Sequence, residues 1–298
     1  MSGIRIVTAG AALMALAAGP AAGQSINRGV DASAMGEVVI SVSVGNLTVR
    51  GWEQTRVEVA GELGAGMPEF ELTRNGEQVI VRVITASESV EQRDRGRTDI
   101  YVSVPSDSRL VVTTSSADLL VAGVHGTQSL RSVSGDIETE AWSALVEAES
   151  VGGDIGISGR EGPANAMLST VNGEIEVRGP FERLVASTVS GDIELDILDA
   201  TSMQLNTTNG EIDLRATLRD QATIDAETIN GDVELEIGDD GNLHLDLGTF
   251  SGRIENCFGY EVTRSPGASG RELRNVGDAD APRIRVRTLN GDIEVCSS

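Results

Sequence analysis

Residues 169–177 read STVNGEIEV, and close copies return along the chain as RSVSGDIET, ESVGGDIGI, STVSGDIEL, NTTNGEIDL, ETINGDVEL, GTFSGRIEN and RTLNGDIEV. A phrase that recurs this often is one architectural unit, and the fold follows from reading it place by place.

Taking the glycine of each copy as place zero gives Gly135, Gly153, Gly173, Gly191, Gly210, Gly231, Gly252 and Gly291, with Ala117 in the degenerate copy TTSSADLLV. The first seven lie 18–21 residues apart, a solenoid-scale period. Place +2 is Ile137, Ile155, Ile175, Ile193, Ile212, Val233, Ile254 and Ile293, and place +4 is aliphatic in most copies. Acids fill the places between: Asp136, Asp154, Glu174, Asp192, Glu211 and Asp232 at +1, then Glu138, Glu176, Glu194, Asp213 and Glu234 at +3. This alternation predicts a half-buried strand with an acidic outer face. Before the glycine, places −5 and −7 are mostly apolar, and place −3 is Ser132, Ser150, Thr170, Thr188, Thr207, Thr228, Thr249 and Thr288. Place −1 is Ser, Asn or Gly, so SG, NG and GG predict a sharp turn at positive φ. The hydroxyl column reads as a turn device bonding to nearby backbone, ahead of a carbohydrate-binding surface.

Two architectures satisfy strand, turn, strand. In a β-solenoid each copy is one coil of about 18–21 residues, stacked about 4.8 Å from the next. In an antiparallel hairpin meander the two arms of one copy pair with each other. Cys257 and Cys296 both stand five places after their glycines. Adjacent coils bring such residues within the roughly 4.4–6.8 Å that a disulfide accepts, whereas a meander holds them about 10 Å apart. The expectation is therefore an all-β, single-domain, β-helix-like solenoid with a Cys257–Cys296 staple on its last coil. It requires residues 258–283, with SPGASG and DADAP, to be a looped excursion.

The rest of the chain is read around this core. Residues 1–23, with Arg5, an apolar run and a small-residue end, predict a secretory signal peptide. Residues 24–35 read as a flexible leader and 36–298 as the repeat domain. Within it, 36–104 form irregular opening strands with Arg93–Arg97 as a charged loop and Trp52 over an open end, 105–257 are regular coils, and 284–298 are the final coil.

A net charge of −23 repels nucleic acid and anionic membrane surfaces, and nothing past the leader approaches the roughly 20 apolar residues of a membrane span. The stacked carboxylates Asp136, Asp154, Glu174, Asp192, Glu211 and Asp232 are the candidate Ca²⁺ ligands. The competing reading, a solvated face that discourages aggregation, is preferred because hard cations need about six to eight converging oxygens. No other cofactor is implied. His125 and His244 read as surface or structural residues, Trp52 and Trp142 as packing residues, and no nucleophile or phosphate-binding motif occurs.

The order of these features, a GNLTVRGW opening, a YVSVPSDSRLVVTT bridge, tandem SGDI and NGEI copies and a closing LNGDIEV, resembles a family of bacterial envelope proteins described as "putative adhesins", related to auto-transporter adhesin head domains. The resemblance spans nearly all of the chain after the leader and implies an envelope binding role. The expected function is an exported, non-enzymatic protein of the periplasm or cell surface presenting an acidic face to an envelope or extracellular partner. The alternatives are a periplasmic accessory or sensor protein in envelope stress and a polysaccharide-active enzyme using a carboxylate pair.

Overall fold

Alternating burial sets the strands. In Ile175–Ser187 the residues Ile175 and Val177 point inward while Glu176 and Arg178 face solvent, and Ile193 with Leu195, Ile212 with Leu214, and Val233 with Leu235 repeat this one coil at a time. The computed structural model describes residues 24–64, 68–85, 98–142, 144–238, 242–264 and 270–297, and every element among them is a β-strand. The predicted signal peptide and the Arg93–Arg97 loop lie outside the described residues.

Like residues stack on like. Ile155 pairs with Ile175, Ile175 with Ile193, Ile193 with Ile212 and Ile212 with Val233, all in parallel register. The strands before the glycine form their own parallel ladder, with Ala148 beside Leu168, Leu168 beside Ala186, Ala186 beside Leu205 and Leu205 beside Ala226. The fold is therefore a β-solenoid, and the hairpin meander is overturned. The two arms of a copy pair with neighbouring coils because the +2 and +4 columns and the −5 and −7 columns all face one continuous aliphatic core. Parallel strands covered on their inner face in this way need no hairpin partner.

Both ends of the stack depart from chain order. The strand Glu37–Trp52 is the first coil in sequence, yet it lies between Arg109–Ala122 on one side and Gln78–Thr85 with Asp99–Pro105 on the other. The last coil in sequence behaves alike. Arg283–Asn290 sits between the second half of Ile212–Asn230 and His244–Ser251, and Ile293–Ser297 sits between Val233–Ile237 and Ile254–Asn256. The coil of Gly252, not that of Gly291, is thus outermost, which corrects the expectation that 284–298 closes the stack.

Antiparallel strands cover the ends. Gln24–Asp31 pairs with Arg56–Leu63, which pairs with Asp99–Pro105, and Pro68–Asn75 pairs with Gln78–Thr85. Residues 24–31 are therefore a strand, not a flexible leader: Ile26 is buried and Val30 packs on the core, and only two apolar residues among polar neighbours hid this in the sequence. These strands, rather than Trp52, cover the first coil; Trp52 sits half-buried at a corner with Nε1 donating to the Arg56 carbonyl at 2.9 Å. At the other end the excursion contributes Arg271–Asn275, antiparallel to His244–Ser251, and Thr263–Arg264 beyond it. Antiparallel covers of this kind shield open sheet edges.

Candidate binding surface

The corner at the repeat glycine is the most regular surface of the molecule, and three ladders build it. In the first, each glycine approaches the backbone of the coil before it. A Cβ on Gly153 would lie 2.2 Å from the Gly135 carbonyl oxygen, one on Gly191 2.0 Å from that of Gly173, and one on Gly291 1.9 Å from that of Gly231. None of the eight repeat glycines has positive φ. The expected reason for glycine is corrected here: close approach of coils excludes a side chain, with no left-handed backbone involved.

The second ladder is the hydroxyl column. Thr170, Thr188, Thr207 and Thr228 donate to the carbonyls of Gly153, Gly173, Gly191 and Gly210 at 3.1–3.2 Å, and Thr288 and Thr249 do the same to Gly231 and Gly291. Ser132 and Ser150 instead accept from the N–H of Gly135 and Gly153 in their own turns. All eight are buried, so the column, whose six threonines stitch adjacent coils, presents no hydroxyl face to a sugar.

The third is the acidic column at +1. The Oδ1 of Asp136 accepts the N–H of Asp154 at 2.9 Å, that of Asp154 the N–H of Glu174 at 2.8 Å, that of Asp192 the N–H of Glu211 at 2.8 Å, and that of Asp232 the N–H of Asp292 at 2.7 Å. The aspartates therefore hook successive coils. The calcium candidates Asp136, Asp154, Glu174, Asp192, Glu211 and Asp232 stand in a line one coil apart. Among the described residues the one group of three possible ligands within 4.8 Å is Cys257, Glu294 and Cys296, whose sulfurs form a disulfide. The line does not gather the roughly six to eight oxygens of a calcium site. Its charge is nonetheless felt: burial, then the charges of Asp154, Glu194 and Asp192, push the Glu174 carboxyl above the usual carboxylate range. Asp213 and Glu234 are raised likewise, burial first.

Between the hydroxyl and the turn lies place −2, whose pattern a place-by-place reading of core and turn positions passes over. It holds Val133, Val151, Val171, Val189, Thr208, Ile229, Phe250 and Leu289. The seven apolar members are 39–52% exposed, forming an apolar rib beside the acidic column. The signal was present in the sequence, as an apolar residue in seven of eight copies at a place whose neighbours at −3 and 0 face inward.

A second concavity, a cleft of about 730 Å³, opens over the intercalated coil between Thr223, Asp225, His244, Arg274, Arg283 and Arg285. Its arginines are mostly neutralised locally: Arg285 bonds Asp225 at 3.1 Å and Glu227 at 3.2 Å, and Arg274 lies 3.4 Å from Asp246. His244 Nε2 lies 2.9 Å from the Asp278 carbonyl. The His125 ring lies 4.3 Å from that of Trp142, tilted by 45°, and 3.6 Å from Asp107, so the two histidines serve separate places. Close to Trp142, Glu140 is held below its usual range: burial pushes it up, but the Gly123 N–H at 2.9 Å and Arg160 at 2.5 Å outweigh this. Cys257 and Cys296 are bonded, with Cα atoms 4.8 Å apart, joining the outermost coil to the C-terminal strand beside it.

Comparison with known proteins accords with this geometry. Residues 180–296 match the model of the Toastrack DUF4097 family, a span holding the Gly191, Gly210, Gly231, Gly252 and Gly291 turns. No curated protein matches the chain. Among solved structures, a putative lipid binding protein from Parabacteroides distasonis is similar at a TM-score of 0.53 and 13% identity, over 91% of this chain and 96% of that one; this likeness is one of fold alone. A putative adhesin from Bacteroides fragilis aligns at a TM-score of 0.43 and 12% identity, over 92% and 97% of the two chains. A putative cell adhesion protein from Clostridium sporogenes aligns at 0.31 and 8%, over 93% and 100%.

Proposed function

We propose that the protein is an exported, non-enzymatic binding scaffold of the bacterial envelope, adhesin-like in role. The observation that carries this reading is the division of labour along the corner. Glycine, threonine and aspartate hold the coils together through bonds to backbone, and the place −2 carbonyls accept from the next coil, while the side chains at −2 and +3 project outward and make none of these bonds. A stack built in this way displays a long, stiff surface whose outer side chains can change without disturbing the core. An exported context suits the disulfide, which persists in oxidising compartments. The aspartates of the +1 row spend a carboxylate oxygen on the backbone N–H of the next coil, which gives them a structural task and favours binding over catalysis.

Protease treatment of intact cells, followed by fractionation, tests this. Cleavage on intact cells together with retention in the envelope fraction is expected. Protection until the outer membrane is opened moves the scaffold to the periplasmic side, and free secretion with no envelope retention overturns the reading.

A further inference from the structure

The exposed rib is not demanded by the architecture. Thr208 occupies the same place between Val189 and Ile229 without interrupting either ladder, so a hydroxyl serves the fold there equally well. Yet Val133, Val151, Val171, Val189 and Ile229 keep between 39% and 52% of their surface in water. Over these six copies the neighbouring +1 column is uninterrupted acid from Asp136 to Asp232, whereas further on Arg253 breaks it. The other flank is neutral in its middle, at Ser169, Ser187 and Asn206, and charged at its ends, where Arg131 bonds Glu149 at 2.9 Å and Glu227 adds a further acid.

We propose that the corner from Val133 to Ile229 docks a cationic amphipathic helix of a partner protein; this rests on the scaffold reading above. Spacing selects the helix. Coils repeat at about 4.8 Å, a helix presents one apolar residue per turn of about 5.4 Å, and an extended strand presents one every second residue, about 6.8 Å. The mismatch is about 0.6 Å per coil for a helix and about 2 Å for a strand, so a strand falls out of step after one or two coils. Six copies span roughly 24 Å, the length of a helix of about 16 residues. Charge selects the sign. A second copy of a chain at −23 would set acid against acid, while lysines flanking an apolar stripe would lie along Asp136, Asp154, Glu174 and Asp192. Burial first, and then the charges of Asp154, Glu194 and Asp192, raise the Glu174 carboxyl, and the second of these is what an ammonium group relieves.

The test uses the purified protein and a synthetic 16-residue helical peptide with Leu at i, i+3, i+4 and i+7 spacing and Lys elsewhere, titrated by calorimetry. Saturable binding is expected, at least tenfold tighter than for a peptide with the same Leu stripe and Glu in place of Lys, or with Lys kept and Leu replaced by Ser. The triple variant Val151→Thr, Val171→Thr, Val189→Thr, which copies Thr208 and is checked by its melting curve, should lose about tenfold in affinity. Glu174→Gln with Glu211→Gln should lose several-fold and flatten the salt dependence. Equal binding of the Lys/Ser peptide, or an unchanged affinity in the triple variant, overturns the proposal. So does capture of phosphatidylcholine vesicles through the same valines with no preference for the Lys/Leu peptide, which would make the rib a lipid-facing surface. Envelope retention is scored in parallel. Retention of the wild type and triple variant alike, with no peptide binding, removes the helix site and leaves the scaffold; peptide binding without retention does the reverse.

Discussion

Thr188 Oγ1 donates to the carbonyl oxygen of Gly173 at 3.2 Å, and that same oxygen would stand 2.0 Å from any Cβ placed on Gly191. One backbone atom thus sets two requirements on the next coil, a hydroxyl at −3 and no side chain at zero, and both recur down the stack.

Gly191→Ala should therefore destabilise strongly. The clash is with backbone, which cannot swing aside, so a cost of about 3 kcal/mol or more is expected. Gly162→Ala, where a Cβ would meet nothing within 4 Å, should stay within about 0.5 kcal/mol of the parent. Denaturant unfolding of the two variants checks both, and equal effects would refute the close-approach account.

Thr188→Val keeps the shape and removes the donor to a buried carbonyl, so a loss of about 1–2 kcal/mol is expected. Thr188→Ser should lie between the parent and Val. If Val matches the parent in chemical unfolding, the stitch contributes nothing.

Cys257→Ser with Cys296→Ser opens a closed loop of 39 residues and should cost about 4 kcal/mol on the chain-entropy account. The location of the effect is the sharper test. Hydrogen exchange should speed up in Ile254–Asn256, which pairs along one edge with Ile293–Ser297, while Ile293–Ser297 stays protected by Val233–Ile237 and His244–Ser251 by the strands on both its sides. Faster exchange confined to the C-terminal strand would contradict the order of coils.

Acidity should at first stabilise this protein. The Glu174, Asp213 and Glu234 carboxyls are raised in the folded state, so the folded chain takes up protons more readily than the unfolded one as pH falls from neutral through their folded values. That gain is complete below the ordinary carboxylate values. Glu140 and Asp292 are lowered and act the other way: their contribution holds above the ordinary range and is lost as pH drops through their folded values. Melting temperature should therefore rise from pH 8 towards pH 5 and fall on further acidification, with a smaller rise in Glu174→Gln. A monotonic fall from neutral pH would sink this prediction.

The repeat made much of the fold legible. Place-by-place alternation in copies such as STVNGEIEV marks two strands and a turn, and the matching offsets of Cys257 and Cys296 separate stacked coils from hairpins. Three things were not legible, for physical reasons. Strand-forming alternation carries no information about which coil lies beside which, so the displacement of Gly291 beneath Gly252 needed the pairing itself. The difference between Asp154, whose carboxylate reaches the Glu174 N–H, and the one-methylene-longer Glu174 is a matter of reach that acidity alone conceals. Gln24–Asp31 is paired through its backbone, which its polar side chains do not advertise. For the surface, the acidic column was visible at once, and the −2 rib was equally visible but is obvious only once places −3 and 0 are known to face inward.

The intercalated terminal coils have a consequence for biogenesis. A solenoid whose coils follow chain order can wind up as it emerges, one turn on the last. Here His244–Ser251 cannot dock directly on Thr223–Asn230, because the gap between them, about 10 Å, belongs to Arg283–Asn290. The segment Arg283–Ser297 acts as a keystone: until it arrives, the outermost coil has no seat. A chain cut short before Arg283 would leave two unfilled strand edges, a sticky and readily degraded product, so synthesis through Arg283–Ser297 is itself what licenses the native state.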